Sequence, residues 1–397
     1  LPASIEKVPL EDILNRRILV VDDAKSLCVL LFSILKKAGF TNITMAENGM
    51  EAMSVIAATP PDLIILDLMM PIMDGMEVCR LARQIEDTAS IPIIIQTAMD
   101  NQGERLKAFA VGASDLITKP VYPQELVART KLHLQNLVLA EKQERYLNRV
   151  ADELAMAKDV QQNLLPSPQF LAEIKARFQV SIASVCEPSS ELGGDFWRVE
   201  PLKNGSLGFY IADFSGHGVV SALNTVRLHT LMYNIDHDWD NPCSILERVN
   251  LDLCRILPTG QFATMMIGII SREENTLYYA AAAAPQPIYG TWTSPDSVEY
   301  LDTSGLPLGI SEKASYETRK ITFSKDNFLF CYSDALTETQ MKNGTYLEGD
   351  LLLDKVKNLS SSLGNKNLLD QVMKDFYEHK RHLLKDDLTA VSFDYLD

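Results

Sequence analysis

None of the six cysteines of this 397-residue chain lies in a Cys-x-x-Cys pair. Cys28, Cys79, Cys186, Cys243, Cys254 and Cys331 are scattered, which argues against a zinc site or a disulfide framework and for buried small hydrophobes in a reducing compartment. No apolar run approaches the ~18–20 residues that span a bilayer. No signal-peptide pattern is visible, and a start at Leu1 without Met implies a trimmed end. Positive charge is also scarce. The net charge of −16 excludes a general binder of nucleic acid or of anionic membrane. The expected location is the cytoplasm. A length of 397 residues exceeds one core and predicts two or three domains.

What the chain has is aspartate at the ends of apolar runs. In the last 210 residues these are Asp195 in Gly193-Gly194-Asp195-Phe196, Asp213 in Ala212-Asp213-Phe214-Ser215-Gly216-His217-Gly218, Asp334 in Tyr332-Ser333-Asp334, and Asp386-Asp387. Clustered carboxylates raise each other's pKa unless cations join them. Carboxylates and water suit Mg²⁺ or Mn²⁺. Two such ions about 3.5–4 Å apart share and activate a water for attack on phosphorus. The C-terminal half therefore reads as a metal-dependent hydrolase. Runs of strands with separate helices, such as Ser221 to Tyr233 and Cys243 to Leu257, predict a sandwich.

The N-terminal part repeats the theme. Runs ending in Asp22-Asp23, Asp67, Thr97 and Lys119-Pro120 alternate with helix-period segments, which predicts a doubly wound parallel sheet. All these polar residues fall at carboxyl ends of strands, where such sheets bind ligands.

These residues, with the loop Met70 to Gly75, resemble the receiver domain of bacterial response regulators over roughly the first third of the chain. The resemblance implies a flavodoxin-like α/β fold, Asp67 as phospho-acceptor, a Mg²⁺ held by Asp22, Asp23 and Asp67, and phosphoryl contacts from Thr97 and Lys119. It also implies a sensor histidine kinase as partner. Lys119-Pro120 reads as a cis peptide. Leu116 departs from the family, which has Tyr or Phe there.

From about Asn136 to Leu165 the pattern is one long helix. Ala140, Gln143, Leu147, Val150, Leu154, Ala157, Gln161 and Leu164 fall three and four apart, the seam of a short coiled coil interrupted by two Gln. A homodimer through this connector is favoured over an amphipathic helix packed on its own domain. Pro166 and Pro168 end it.

The rest of the chain resembles the SpoIIE-type branch of metal-dependent, type 2C-like (PPM) serine/threonine phosphatases. The strings above carry the resemblance, together with Phe262 to Met266, Leu306 to Gly309 and Asp386 to Thr389. It implies an α+β sandwich with metals at one edge. Asp213 would bridge two Mn²⁺ or Mg²⁺, with Asp195, Asp334, Asp386 and the Phe214 carbonyl completing the set. Asp387 reads as peripheral, supporting the ligands from behind or facing solvent. His217 reads equally as a proton donor and as a structural member of the Gly-rich turn. Departures from the family fall at Arg198, Ala283, Ala284 and Ala335.

The expected whole is multidomain: a tail (1–14), a receiver (15–135), a helical coiled-coil connector (136–165) and a PPM-like phosphatase (166–397). The favoured function is a response regulator in which phosphorylation of Asp67 controls a serine phosphatase acting on a phosphoserine protein such as an anti-sigma-factor antagonist. The alternative is a catalytically inactive phosphatase-like domain that acts as a phosphorylation-controlled adaptor.

Overall fold

The computed structural model describes residues 8–98, 102–216, 218–235, 239, 241–363 and 368–396. They form two units, Leu1–Val150 and Ala151–Asp397. His217 lies outside the described residues. No helix of the described residues is long and apolar enough to cross a membrane.

In the first unit the elements are α1 (Leu10–Leu14), β1 (Arg17–Val21), α2 (Lys25–Lys37), β2 (Asn42–Ala46), α3 (Gly49–Ala58), β3 (Leu63–Asp67), α4 (Gly75–Gln84), β4 (Ile93–Thr97), α5 (Gln102–Ala110), β5 (Asp115–Thr118) and α6 (Pro123–Gln162). The five strands form one parallel sheet in the order β2-β1-β3-β4-β5. Runs such as Leu63-Ile64-Ile65-Leu66 are wholly buried because helices cover both faces. Asn48 and Asp74 cap α3 and α4 by accepting the amides of Glu51 and Glu77. The strand order switches between β1 and β3, so their carboxyl ends open a crevice.

The predicted connector helix begins earlier than its seam suggested. It starts at Pro123 and runs without a break to Gln162. Leu126, Thr130, Leu134 and Val138 are buried in the first unit, and beyond them residues 142–149 are all exposed. Its apolar periodicity therefore serves two environments, and the sequence pattern shows no boundary between them.

In the second unit, α7 (Pro168–Phe178) follows and β6 (Val180–Glu187), β7 (Asp195–Pro201) and β8 (Leu207–Phe214) begin the sheets. Helices α8 (Val219–Asn234) and α9 (Pro242–Ile256) precede β9 (Ala263–Ser271), β10 (Thr276–Ala282), β11 (Ile288–Thr291), β12 (Ser294–Tyr300), β13 (Arg319–Thr322) and β14 (Asn327–Tyr332). The chain ends with α10 (Ala335–Glu338), α11 (Asp350–Leu363), α12 (Leu368–His379) and β15 (Leu388–Tyr395). One antiparallel sheet is β13-β10-β9-β8-β7 and the other is β12-β11-β14-β15-β6.

Trp197, Phe209, Ile211 and Met266 of the first sheet pack against Leu329, Val391 and Phe393 of the second. Phe196, Tyr210 and Ala212 alternate to the opposite face and pack under α8 and α9. Phe328, Phe330 and Leu388 likewise meet α11 and α12. The result is a sandwich with helices on both outer faces, the α+β layer order expected.

Candidate functional site

In the first unit Asp22 and Asp23 follow β1 and Asp67 ends β3. Their carboxylates lie within 4.8 Å of one another, a spacing that fits one divalent cation. Asp22 and Asp67 are buried and Asp23 is exposed, which leaves an open side. Lys119 reaches in from the end of β5 and pairs with both Asp22 and Asp67 at 2.9 Å. Burial pushes the Asp67 carboxyl above its ordinary value, and Lys119 only partly offsets this. Burial alone would lower Lys119, but Asp67 and Asp22 outweigh it and raise it. Thr97 is buried at the end of β4. Lys119-Pro120 is cis, as expected. Leu116, at the aromatic position of the family, is buried in the core beneath the site.

In the second unit Asp195 opens β7 and stands directly opposite Asp213 of β8. Both alternate to the face that looks at the second sheet. Asp334 follows β14 and Asp386 precedes β15, so the second sheet delivers its two carboxylates at the same edge. Ser333 ties these ends together. Its amide donates to Thr389 O (2.8 Å), its hydroxyl accepts from Thr389 N (2.8 Å) and donates to Asp387 O (3.0 Å).

Asp195 is buried and neither carboxylate oxygen has a hydrogen-bond partner. The nearby hydroxyls of Ser333 and Thr389 are committed elsewhere, to Asp387 O and to Cys186 Sγ. Burial, then the Asp213 charge, holds Asp195 well above the carboxylate range. Burial, then Asp334 and Asp386, pushes Asp213 up to about 7. Burial, then Asp386, pushes Asp334 up to about 6. No ion pair involves these four aspartates among the described residues. Carboxylates that gather at one edge, from buried Asp195 through half-buried Asp213 and Asp334 to exposed Asp386, with no protein cation among the described residues, are a donor set suited to hard divalent ions. Among the described residues Asp22, Asp23 and Asp67 are the one trio whose carboxylates all lie within 4.8 Å of one another; those of the second unit stand farther apart.

Two neighbours complete the geometry. The Phe214 amide donates to Gly194 O at 3.2 Å. A Cβ on Gly194 would stand 2.8 Å from the Phe214 carbonyl oxygen, so only glycine permits this approach. Asp334 occupies the N-cap position of α10 but makes no side-chain cap bond. Its carboxylate is therefore not consumed by the helix.

Of the two readings of Asp387, the structure excludes the solvent-facing one: the residue is 2% exposed. Its Oδ1 accepts from the amide (2.6 Å) and hydroxyl (2.9 Å) of Ser189, and its Oδ2 accepts from the Gly194 amide. It braces the loop that carries Asp195. Sequence reasoning also missed Gln161, whose side chain binds Gly193; a Gln breaking an apolar seam was the available signal.

Of the departures from the family, Ala284 lines a small cavity together with Asp195 and Asp213, and Ala335 directly follows Asp334. Arg198 lies three residues along β7, hence on the opposite face, and donates to Glu200 and to Leu164 O. Ala335 is buried in the core under α11 and α12. Ala283 has φ 55°, a left-handed conformation that explains why glycine suits this position.

The comparisons agree with this architecture. The family model of the response regulator receiver domain matches residues 18–131, and that of stage II sporulation protein E (SpoIIE) matches residues 203–395. The transcriptional regulatory protein YvrH of Bacillus subtilis (strain 168) is 44% identical over 121 residues, 30% of this chain and 50% of that protein. The alkaline phosphatase synthesis transcriptional regulatory protein PhoP of the same organism is 40% identical over 127 residues, 32% of this chain and 52% of that protein. The chain thus spans about half the length of these curated relatives. The SiaA-PP2C domain of Pseudomonas aeruginosa is similar in fold, with a TM-score of 0.55 at 18% identity over 63% of this chain and 98% of that one. Together with the two sheets and their acidic edges, these matches identify a chain that carries a response regulator receiver domain followed by a SpoIIE-type domain, whose fold is similar to that of the SiaA-PP2C domain.

Proposed function

We propose that the second unit is a metal-dependent protein serine/threonine phosphatase and that phosphorylation of Asp67 in the first unit controls it. The observation that carries the reading is the Asp195–Asp213 cross-strand pair, in which the carboxylate of buried Asp195 has no hydrogen-bond partner, joined at the same edge by Asp334 and Asp386. Asp213, Asp195, Asp334, Asp386 and the Phe214 carbonyl would hold two divalent ions, Asp213 being the residue shared by both. When bound, Mn²⁺ or Mg²⁺ supplies charge for the phosphoryl oxygens and lowers the pKa of water.

The chain's own part is positional. The β7–β8 register places Asp195 opposite Asp213, Ser333 locks β14 to β15, and Asp387 braces the Asp195 loop. All four carboxylates are retained alongside the departures at Arg198, Ala283, Ala284 and Ala335, which favours catalysis over an inactive adaptor.

In the receiver, Asp22, Asp23 and Asp67 are the ligands for one Mg²⁺, Asp67 accepts a phosphoryl group from a sensor histidine kinase, and Thr97 and Lys119 contact it. Resemblance to SpoIIE-type phosphatases points to a phosphoserine on a small anti-sigma-factor antagonist as substrate. The exposed seam of α6, with Leu147 57% exposed, suits a homodimer of the coiled-coil type. The reading is that of a cytoplasmic signalling protein.

The test is phosphate release from a phosphoserine protein with Mn²⁺, before and after treatment with acetyl phosphate. Turnover that changes with treatment in the parent but not in Asp67→Asn supports the reading. Equal turnover in all four samples removes the regulatory part, and none in any removes the catalytic part.

A further inference from the structure

Gln161 lies on the last turn of α6, where an apolar residue would continue the seam. Its side-chain amide is fully used. Nε2 donates to Gly193 O at 2.7 Å and to Thr225 Oγ1 at 3.0 Å, and Oε1 accepts from Gly193 N at 3.3 Å. Gly193 thus commits both backbone groups to one side chain, as a strand neighbour would.

The two partners flank the acidic pair. Gly193 stands two residues before Asp195, and Thr225 lies on α8, the helix that follows the Asp213 segment. Thr225 in turn donates to Ala222 O at 2.7 Å, so its hydroxyl orientation is fixed. Gly194 lies between them, against Phe214 O and the Ser221 side chain. A cavity of about 210 Å³ opens beside the clamp, lined by Lys158, Leu165, Cys186, Glu187 and Asp195 among others. The loop therefore has room to relax if the clamp opens. A rotation of the helix by one residue is about 100° and would carry the amide off both partners.

We propose that Gln161 is a positioning residue: its amide fixes the Gly193–Asp195 loop against α8, so that the rotation of the last turn of α6 sets where Asp195 stands relative to Asp213. This rests on the phosphatase reading and names the point at which that site is controlled.

The test compares Gln161→Met, which keeps length and removes all three bonds, with Gln161→Glu, which keeps the acceptor and loses both donors. Met156→Gln on the exposed face of α6 is the control. Three quantities are read in the full chain: hydrogen exchange at the Gly193 amide without metal, Mn²⁺ affinity by titration calorimetry, and phosphoester turnover.

For Gln161→Met the expected result is roughly tenfold faster Gly193 exchange and roughly tenfold weaker Mn²⁺ binding, with kcat reduced and KM unchanged. Gln161→Glu, which still accepts the Gly193 amide, should weaken Mn²⁺ binding and lower kcat in the same direction with a smaller change in Gly193 exchange, and the control should change nothing. Adding Thr225→Val to Gln161→Met should cost less than it does alone, because the two share a bond. Should Gln161→Met fail to fold, Thr225→Val alone must show the same shifts at smaller size.

Unchanged exchange and Mn²⁺ affinity in folded variants overturn the proposal. An active parent with indifferent variants defeats the clamp and leaves the phosphatase reading standing. An inactive parent whose exchange and Mn²⁺ affinity shift as stated does the reverse.

Discussion

Asp387 and Gly194, 193 residues apart in the chain, are joined by a buried hydrogen bond from the Gly194 amide to Asp387 Oδ2. Both oxygens of Asp387 serve as acceptors, for three donors in all. Asparagine offers one acceptor and sets an NH₂ against an N–H. We expect Asp387→Asn to lower the stability of the second unit by about 1–3 kcal/mol, the cost of a buried donor left unpaired. Denaturant unfolding of parent and variant checks this. A change within error would mean that the loop is held by other contacts.

Ala283 carries backbone strain beside the site, at φ 55°. The left-handed conformation costs a non-glycine residue about 1–2 kcal/mol, and glycine gives back about 0.5–1 kcal/mol in entropy. Ala283→Gly should therefore stabilise the unit by about 0.5–1 kcal/mol. A raised thermal midpoint with unchanged Mn²⁺ affinity is the expected result; a lowered midpoint contradicts the strain.

The acidic cluster makes stability depend on pH in a stated direction. Asp213 is raised to about 7 and Asp334 to about 6, chiefly by burial. The folded chain keeps these protons where the unfolded chain, with carboxyl pKa near roughly 4, has lost them. Their contribution is thus fully present below about pH 4 and falls as pH rises through about 7. In chelator, Asp213→Asn should be more stable than the parent at pH 8, and the gap should shrink at pH 5. Thermal unfolding at both values measures it. A gap that widens at pH 5 would mean Asp213 is not raised.

Much of the fold and of the acidic site is legible in the amino-acid sequence. Asp67, Asp195, Asp213, Asp334 and Asp386 each close or open an apolar run, and a strand end is a local property that sequence records. The alternation Phe196, Trp197, Arg198 likewise assigns faces directly. The roles of Asp387 and Gln161 are not legible there, because they depend on bonds to Gly194 and Gly193 across distant parts of the chain. Asp387 adjoins Asp386 yet is the buried one of the two, a distinction set by the strand pairing and not by residue type. The start of α6 at Pro123 is hidden for a different reason. Its buried residues Leu126 to Val138 continue into the seam without a change of period.

The central claim is that Asp213 holds a metal pair used for phosphoester hydrolysis. The most direct measurement is Mn²⁺-dependent phosphate release by Asp213→Asn beside the parent, with Mn²⁺ binding followed by calorimetry. We expect turnover to fall at least roughly a hundredfold and the Mn²⁺ stoichiometry of the second unit to drop, with the fold intact by circular dichroism. Near-parental turnover in Asp213→Asn, or a parent that neither binds Mn²⁺ nor releases phosphate, would contradict it.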